Sequence, residues 1–398
     1  MNAAASPLRV LFECRSIEPD KSGGIENYVY MLVNGWLENY PADTVLLNIP
    51  PGTRIKYEKK IGPGAILLTD PVYARSQKYL LRKPWLKRLV HYVSKVNIVR
   101  RYIYGLRPGW IASLDKKADA VICPFQREEI LHDPRKVIFV MHDFRMWDLP
   151  GGDKKTMRNQ HALISSSAFT VCCWPYPFRR LNEEFGVRPG KFYEIPFLFD
   201  NMETAIPGEA AEDFLYYPGG LGEHKNHSTL IKGLALYNKT NDRKLKLVCT
   251  GTEIPALKKN LELLIEELGV GSDIIFMGFV DRDEVFSLYQ RCLAVITSTL
   301  YEAVSGAIVE AYRFQKPVLA SGIPPHTDFV KKYQLKLELF DPLNPESIAH
   351  SIEKLNSSYP QLVKASVEGK RSLSFITEKY TVSAFRELCL KVKAGQAN

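Results

Sequence analysis

The chain has 398 residues, of which 45% are apolar and 24% charged, and its formal net charge is +9. This composition excludes a fibrous or wholly disordered chain, and the length suggests two domains. The seven cysteines are odd in number and form no C-x-x-C pair, which argues against a zinc site or a disulfide framework. The N-terminus resembles no secretory signal and no apolar run reaches 18 residues, so we expect a cytoplasmic protein without a spanning helix.

Short apolar runs that alternate with helical stretches predict a doubly wound parallel sheet in the first 200 residues. Between positions 25 and 40 the apolar residues recur at spacings of three and four, which predicts an amphipathic helix. The predicted strands of this half are residues 8–12, 45–49, 66–69, 118–123, 136–142, 168–173 and 192–195.

The same alternation restarts after residues 201–213, a polar and acidic stretch with Pro and Gly that we interpret as a linker. It separates a first domain (1–200) from a second (214–376), and residues 377–398 contain a final helix that we expect to pack back on the first domain. The predicted strands here are 214–217, 245–250, 274–277, 294–297 and 317–320. The predicted helices are 227–237, 257–268, 283–291, 305–314, 347–355 and 382–392.

Each half carries a glycine-rich turn between its first strand and first helix. Gly23 and Gly24 form the first, and Gly219 and Gly220 belong to the second, which leads to Lys225. Glycines allow close approach of a ligand to the backbone, and the following helix turns its free amides toward the loop. A lysine beside such amides suits a phosphate group, although an ordinary surface turn would have the same appearance.

Two glutamates eight residues apart follow the predicted strand 294–297. Glu302 falls in the loop and Glu310 in the next helix, while Ser305 and Gly306 lie at the predicted helix start, where bare amides can meet an anion. Carboxylates at these positions can accept hydrogen bonds from sugar and ribose hydroxyls. Spacing alone does not distinguish this arrangement from two solvated side chains.

Taken together, these motifs resemble the retaining glycosyltransferases of the GT-B fold, in particular the large family four with its Glu-x7-Glu pair. The resemblance implies two Rossmann-like domains that face each other across a cleft. It extends over nearly the whole chain in the right order. The matching stretches are 14–32 (with Gly-Gly), 140–144 (VMHDF), 224–233 (HKNHSTLIKG), 278–292 (GFVDRDEVFSLYQRC), 298–321 (STLYEAVSGAIVEAYRFQKPVLAS) and 340–352 (FDPLNPESIAHSI).

The resemblance implies transfer of a hexose, with mannose as one candidate, from a nucleotide-diphosphate sugar to a glycan or lipid-linked acceptor in the synthesis of lipopolysaccharide or other polysaccharide. Lys225 would neutralise the departing diphosphate and Glu302 would bind the donor sugar. Glu310 would bind the ribose, and His142 would face the sugar from the first domain. The other implied donor-binding residues are Gly23, Gly24, Gly219, Gly220, Ser305 and Gly306. The resemblance implies neither a metal nor a separate cofactor.

Three positions depart from the family pattern. Gly219 and His224 stand where many members carry arginine, and Ser305 stands where a glycine is expected. The diphosphate would therefore meet fewer positive charges, and Arg15 is a candidate to compensate as a diphosphate or acceptor contact.

The excess of positive charge lies in the first half, with ten basic residues and no acidic one between positions 71 and 114. Tyrosines and a tryptophan interleave with these charges. No nucleic-acid-binding motif accompanies them, so we expect no nucleic-acid partner. A basic segment with aromatic residues suits peripheral attachment to an anionic membrane surface, which would fit a lipid-linked acceptor.

Two other functions use the same features. A nucleotide-sugar epimerase on this fold would need no acceptor, and a phosphorylase would need a pyridoxal lysine and is usually much longer. A non-catalytic sugar- or membrane-binding scaffold would fit the departures at Gly219, His224 and Ser305.

Overall fold

The computed structural model describes residues 6–17, 19, 24–71, 107–124, 131–148, 152–197, 212–302 and 306–396. The chain divides into two compact units. Unit 1 consists of Met1–Leu198 and Ile376–Asn398, and unit 2 consists of Phe199–Phe375. The predicted linker 201–213 lies outside the described residues apart from Glu212 and Asp213.

Unit 1 is built on a seven-stranded sheet in which every neighbouring pair of strands is parallel, in the order β3-β2-β1-β4-β5-β6-β7. The central strands Ala120–Cys123 and Val137–Met141 are wholly apolar and buried, as expected for a sheet covered on both faces. The strands are β1 Arg9–Glu13, β2 Thr44–Asn48, β3 Ile66–Leu68, β4 Ala120–Cys123, β5 Val137–Met141, β6 Phe169–Cys172 and β7 Phe192–Glu194.

Six helices of unit 1 connect these strands in the described part of the chain. Asp153 caps one of them by accepting hydrogen bonds from the amides of Lys155 and Thr156, which fixes the point where that helix begins. The helices are α1 Gly24–Asn39, α2 Arg54–Lys60, α3 Pro108–Lys117, α4 Arg145–Asp148, α5 Lys154–Ser166 and α6 Pro175–Phe185.

The C-terminal segment belongs to unit 1. Its helix, Glu378–Lys393, packs against α1, as contacts between the two helices show. Arg386 forms an ion pair with the buried Asp43, at 2.7 Å between Nε and Oδ2, and Ser383 hydrogen-bonds the Tyr40 hydroxyl at 2.8 Å. These polar contacts join the last helix to the loop that leads into β2.

Unit 2 has a six-stranded sheet, again parallel throughout, in the order β10-β9-β8-β11-β12-β13. Two parallel-sheet Rossmann-like units were predicted from the sequence, and the structure confirms them. The strands are β8 Phe214–Pro218, β9 Lys246–Thr250, β10 Ile274–Phe276, β11 Ala294–Thr297, β12 Val318–Ser321 and β13 Glu338–Phe340.

The helices of unit 2 pack on this sheet around an apolar core that includes Leu230, Ile296 and Ile348. Asp281 caps the helix that begins at Arg282, because its side chain accepts a hydrogen bond from the Glu284 amide. The helices are α7 His227–Thr240, α8 Pro255–Leu268, α9 Arg282–Arg291, α10 Gly306–Arg313, α11 Pro324–Tyr333, α12 Pro345–Ser357 and α13 Tyr359–Ser372, and we number the C-terminal helix Glu378–Lys393 as α14.

Strand β13 was missed in the sequence analysis because its three residues include Glu338 and lie at the edge of the sheet, where no apolar run is required. Helices α11 and α13 were also not predicted. Over the described residues, no helix is both long enough and apolar enough to cross a membrane.

Candidate functional site

The predicted donor-binding residues of unit 2 lie beside the point in its sheet where the strand order reverses. Strand β8 has β9 on one side and β11 on the other, so chain connections leave β8 and β11 in opposite directions. In open parallel sheets a crevice forms at the carboxyl ends of two such strands, and ligands bind there. Lys225 follows β8 and Glu302 follows β11, so the sheet order accounts for their meeting.

The glycine turn after β8 packs tightly against the loop after β9. The amides of Gly219 and Leu221 donate to the carbonyls of Thr250 and Thr252, each at 2.9 Å. A side chain at Gly220 would place its Cβ only 2.7 Å from the Thr252 oxygen. Glycine at 220 is therefore required by packing within unit 2, whereas a Cβ at Gly219 would meet the Lys225 side chain at an ordinary 3.6 Å.

Lys225 ends a single 3-10 turn, Glu223–Lys225, and its backbone is held from two sides. Its carbonyl accepts hydrogen bonds from the Tyr217 hydroxyl at 2.9 Å and the Ser298 hydroxyl at 3.0 Å. The next residue, Asn226, has a left-handed backbone with φ of 55°, a conformation that Asn tolerates better than most residues. These contacts fix the direction in which the lysine side chain leaves the turn.

The loop that carries Glu302 is fastened to the same turn. The Leu300 amide and the Thr299 hydroxyl both donate to the His224 carbonyl, at 2.7 and 3.1 Å. With both loops fixed, the Lys225 ammonium forms an ion pair with Glu302 through Oε1. Both side chains remain about one-fifth exposed, 20% and 21%, so a ligand from solvent can reach them.

Glu310 lies one turn into α10, on the helix that begins at Gly306 after the Glu302 loop. The Tyr289 hydroxyl donates to its Oε2 at 2.5 Å. Burial raises the pKa of Glu310 above the ordinary value, and the Tyr289 hydroxyl, Arg282 and Arg313 lower it only in part. Ser305 lies outside the described residues.

Two of the predicted residues of unit 1, Arg15 and His142, follow the central strands β1 and β5 and have enclosed side chains. Arg15 follows β1, its side chain is only 5% exposed, and its Nε donates to Glu13 at 2.8 Å. Gly24 is the first residue of α1, and Gly23 lies outside the described residues. The compensating charge that the sequence suggested at Arg15 is thus already bound to a carboxylate inside unit 1.

Glu13 is the centre of a buried network that the sequence did not reveal. Asn48 donates to it at 2.9 Å and His132 contacts it at 2.8 Å, while the other ring nitrogen of His132 lies 2.5 Å from Asp115. Burial acts to raise the pKa of Glu13, but Arg15 and His132 lower it to about 2. Burial acts to lower the pKa of His132, but Asp115 and Glu13 raise it to about 9.

His142 follows β5 and is fixed by its neighbours on both sides. Its Nε2 lies 2.6 Å from the Pro124 carbonyl, which can only accept, so Nε2 carries the proton. The Cys173 thiol then donates to Nδ1 at a sulfur–nitrogen distance of 3.6 Å. Burial lowers the pKa of His142, and the ring is neutral. Both ring nitrogens therefore have partners inside unit 1.

Two contacts described above join residues that are far apart in the sequence, so local spacing does not predict them. Tyr289 lies 21 positions before Glu310, and His132 lies 119 positions after Glu13. The fold, and no local pattern, brings each pair together. Across the described ranges, no three His, Cys, Asp or Glu side chains are arranged to hold a metal ion.

Comparison with known proteins finds a family match that lies within unit 2. Residues 203–372 match the family model described as glycosyl transferases group 1. An uncharacterized glycosyltransferase of Methanocaldococcus jannaschii is 25% identical over 177 residues, which are 44% of each protein. The chain thus aligns with less than half the length of this curated relative.

Several solved structures share the fold of both units. The crystal structure of Anabaena HepE in complex with UDP has a TM-score of 0.67 at 15% identity, over 96% of this chain and 98% of that one. Sucrose-phosphate synthase from Thermosynechococcus elongatus has 0.69 at 14%, over 97% and 99%. WaaG, a glycosyltransferase involved in lipopolysaccharide biosynthesis, has 0.62 at 14%, over 97% and 100%. The fold is that of the GT-B glycosyltransferases.

Proposed function

We propose that this chain is a retaining, metal-independent glycosyltransferase of the Glu-x7-Glu type (family four) that moves a hexose from a nucleoside-diphosphate sugar to a glycan or lipid-linked acceptor in polysaccharide or lipopolysaccharide synthesis. The observation that carries the proposal is the Lys225–Glu302 ion pair at the switch point of unit 2. A cation and a carboxylate that are fixed side by side and open to solvent suit the two ends of a sugar diphosphate.

In the proposed reaction, the donor diphosphate replaces Glu302 as the ion-pair partner of Lys225. The Glu302 carboxylate then accepts hydrogen bonds from sugar hydroxyls. The acceptor oxygen forms a bond to the anomeric carbon on the face from which the diphosphate departs. The bond from that carbon to the phosphate oxygen breaks, and the departing phosphate takes the acceptor proton. The Lys225 ammonium then stabilises the negative charge that develops on the diphosphate.

Glu310 is proposed to bind the ribose of the donor, since α10 follows the Glu302 loop and its carboxylate is an acceptor. Gly219, Gly220 and Gly306 would line the diphosphate site. The UDP in the HepE complex makes a uridine donor the first choice for a probe.

A panel of nucleotide sugars tests the proposal through release of nucleoside diphosphate, with and without a glycan or lipid-linked acceptor fraction. We expect release from one donor that rises at least tenfold with acceptor and persists in the presence of a chelator. Conversion of the donor to an isomeric sugar nucleotide without acceptor would identify an epimerase. Binding without any turnover would identify a scaffold.

We further propose that residues 71–114 attach the protein to the cytoplasmic face of an anionic membrane. Ten basic residues without an acidic one, at about 1 kcal/mol per charge near the surface, support this. Residues 72–106 of this segment lie outside the described part of the chain. In a vesicle sedimentation assay, a larger fraction of the protein should sediment with vesicles that contain anionic lipid than with neutral vesicles. Equal fractions in the two pellets would contradict the proposal.

A further inference from the structure

Tyr289 holds the carboxylate of Glu310 from the neighbouring helix. It lies near the end of α9, its ring is fully buried, and its hydroxyl donates to Oε2 of Glu310 at 2.5 Å. A hydrogen bond from a hydroxyl to an ionised carboxylate is shorter and stronger than one between neutral groups. One oxygen of Glu310 is therefore tied to the interior of unit 2.

The Tyr289 ring is itself fixed by aromatic packing. Phe314 stacks on it with centroids 5.0 Å apart and planes 2° from parallel, and Tyr216 meets it edge-on at 5.0 Å. The Tyr216 hydroxyl is engaged with Thr250 at 2.8 Å. The neighbouring phenol thus serves a different partner, and the Tyr289 hydroxyl has a fixed position from which to orient Glu310.

We propose that Tyr289 is a positioning residue that orients the Glu310 carboxylate to accept hydrogen bonds from the ribose hydroxyls of the nucleotide donor. This inference rests on the proposed function, which assigns the ribose to Glu310. The residue makes no contact with the donor in this account. It acts by holding one carboxylate oxygen and leaving the other in a set direction.

The variant Tyr289→Phe tests this, since it keeps the ring and removes only the hydroxyl. Titration with UDP and with 2′-deoxy-UDP gives two dissociation constants for each protein. We expect UDP to bind about three- to tenfold more weakly to the variant, the range for loss of one hydrogen bond between Glu310 and the ribose. The ratio of the 2′-deoxy-UDP to the UDP dissociation constant should shrink, because the ribose contact is the one affected.

Tyr312→Phe is the matched control. Tyr312 is a buried tyrosine on α10 itself, two residues from Glu310, and its hydroxyl donates to the Lys336 carbonyl at 3.0 Å. The control loses one buried hydroxyl near the same carboxylate but leaves the Glu310 partner in place. We expect its preference for UDP over 2′-deoxy-UDP to equal that of the wild type.

The pH dependence of UDP binding supplies a readout that packing alone would not move. Among the described residues, the charged or titratable groups that interact with Glu310 are Tyr289, Tyr216, Arg282 and Arg313. The Tyr289 hydroxyl favours the ionised carboxylate, so its loss raises the pKa of Glu310 further. Binding in Tyr289→Phe should therefore weaken at a higher pH during acidification than in Tyr312→Phe, while titration of the UDP phosphates is common to both.

The outcomes separate this inference from the proposed function. If Tyr289→Phe matches Tyr312→Phe in affinity, nucleotide preference and pH dependence while Glu310→Gln loses the preference for UDP, the role of Tyr289 is wrong and Glu310 keeps its own. If Glu310→Gln leaves both dissociation constants unchanged, the ribose assignment is wrong and the inference falls with it.

Discussion

At the carboxyl ends of its strands, each sheet carries an ion pair between a basic side chain and a glutamate, but the two pairs differ in how exposed they are. In unit 2 the Lys225–Glu302 pair is about one-fifth exposed, and in unit 1 the Arg15–Glu13 pair is 5% and 7% exposed. The unit 2 pair can exchange its partners for a ligand, because water already reaches it. The unit 1 pair is enclosed by His132, Asn48 and Asp115, so its contacts stabilise the fold. Exposure therefore separates the proposed binding edge of unit 2, around Lys225 and Glu302, from the structural edge of unit 1, around Arg15 and Glu13.

The largest effect should come from truncating the structural edge. Glu13→Ala removes the carboxylate that Arg15 and His132 share and leaves His132 with Asp115 alone, which costs about 3–5 kcal/mol of the free energy of unfolding. All five tryptophans lie in the first 174 residues, so denaturant unfolding followed by tryptophan fluorescence reports on unit 1. A loss under 1 kcal/mol would show that the network is not a stabilising element.

Truncation of the binding edge should leave stability intact and remove turnover. Lys225→Ala is expected to lower the rate of nucleoside-diphosphate release by about 100- to 1000-fold, the range for losing one group that stabilises developing charge. The matched control is Lys232→Ala, an exposed lysine on the following helix α7. Similar rates in the two variants would refute the role of Lys225.

The unit 1 network also predicts how stability changes with pH. His132 has its pKa raised from 6.5 to about 9, so its contribution is complete below pH 6.5 and is lost as the pH rises through 9. Glu13 has its pKa lowered from 4.5 to about 2, so its contribution is lost as the pH falls below 4.5.

We therefore expect the free energy of unfolding of unit 1 to decline from pH 6.5 to pH 9 in the wild type and to stay nearly level in His132→Gln. Fluorescence-detected unfolding at several pH values measures this. The exposed His350 of unit 2 provides the control His350→Gln, which should keep the wild-type decline. An equal decline in His132→Gln would assign the pH dependence to other groups.

The smallest effect should follow from His142→Gln. The resemblance implies that His142 faces the donor sugar, yet its two ring nitrogens already contact Pro124 and Cys173. Glutamine can also donate and accept, so we expect less than about a tenfold drop in turnover. A 100-fold drop in turnover, with fluorescence-detected unfolding unchanged, would instead support a contact between His142 and the reacting sugar.

Local patterns in the sequence predict most of the strands of both sheets, and they also point to the residues of the proposed binding edge. Buried runs such as 137–141 show their strands because parallel sheets need apolar residues on both faces. The turn before Lys225 and the Glu302–Glu310 spacing are also local. The exposure of each side chain cannot be read from local patterns. Arg15 and Lys225 carry the same charge, and residues distant in the sequence determine which of them is enclosed. For this reason the sequence alone suggests Arg15 as a ligand contact and gives no sign of the hydrogen bond from Tyr289 to Glu310.

The most direct test is hydrogen exchange with saturating UDP, or with whichever nucleoside diphosphate the panel selects. The account predicts slower exchange in peptides that cover residues 218–226 and 294–313 of unit 2. It predicts unchanged exchange in peptides that cover 9–17 and 131–142 of unit 1. Protection limited to the unit 1 peptides, with none around Lys225 and Glu302, would contradict the assignment of the donor site.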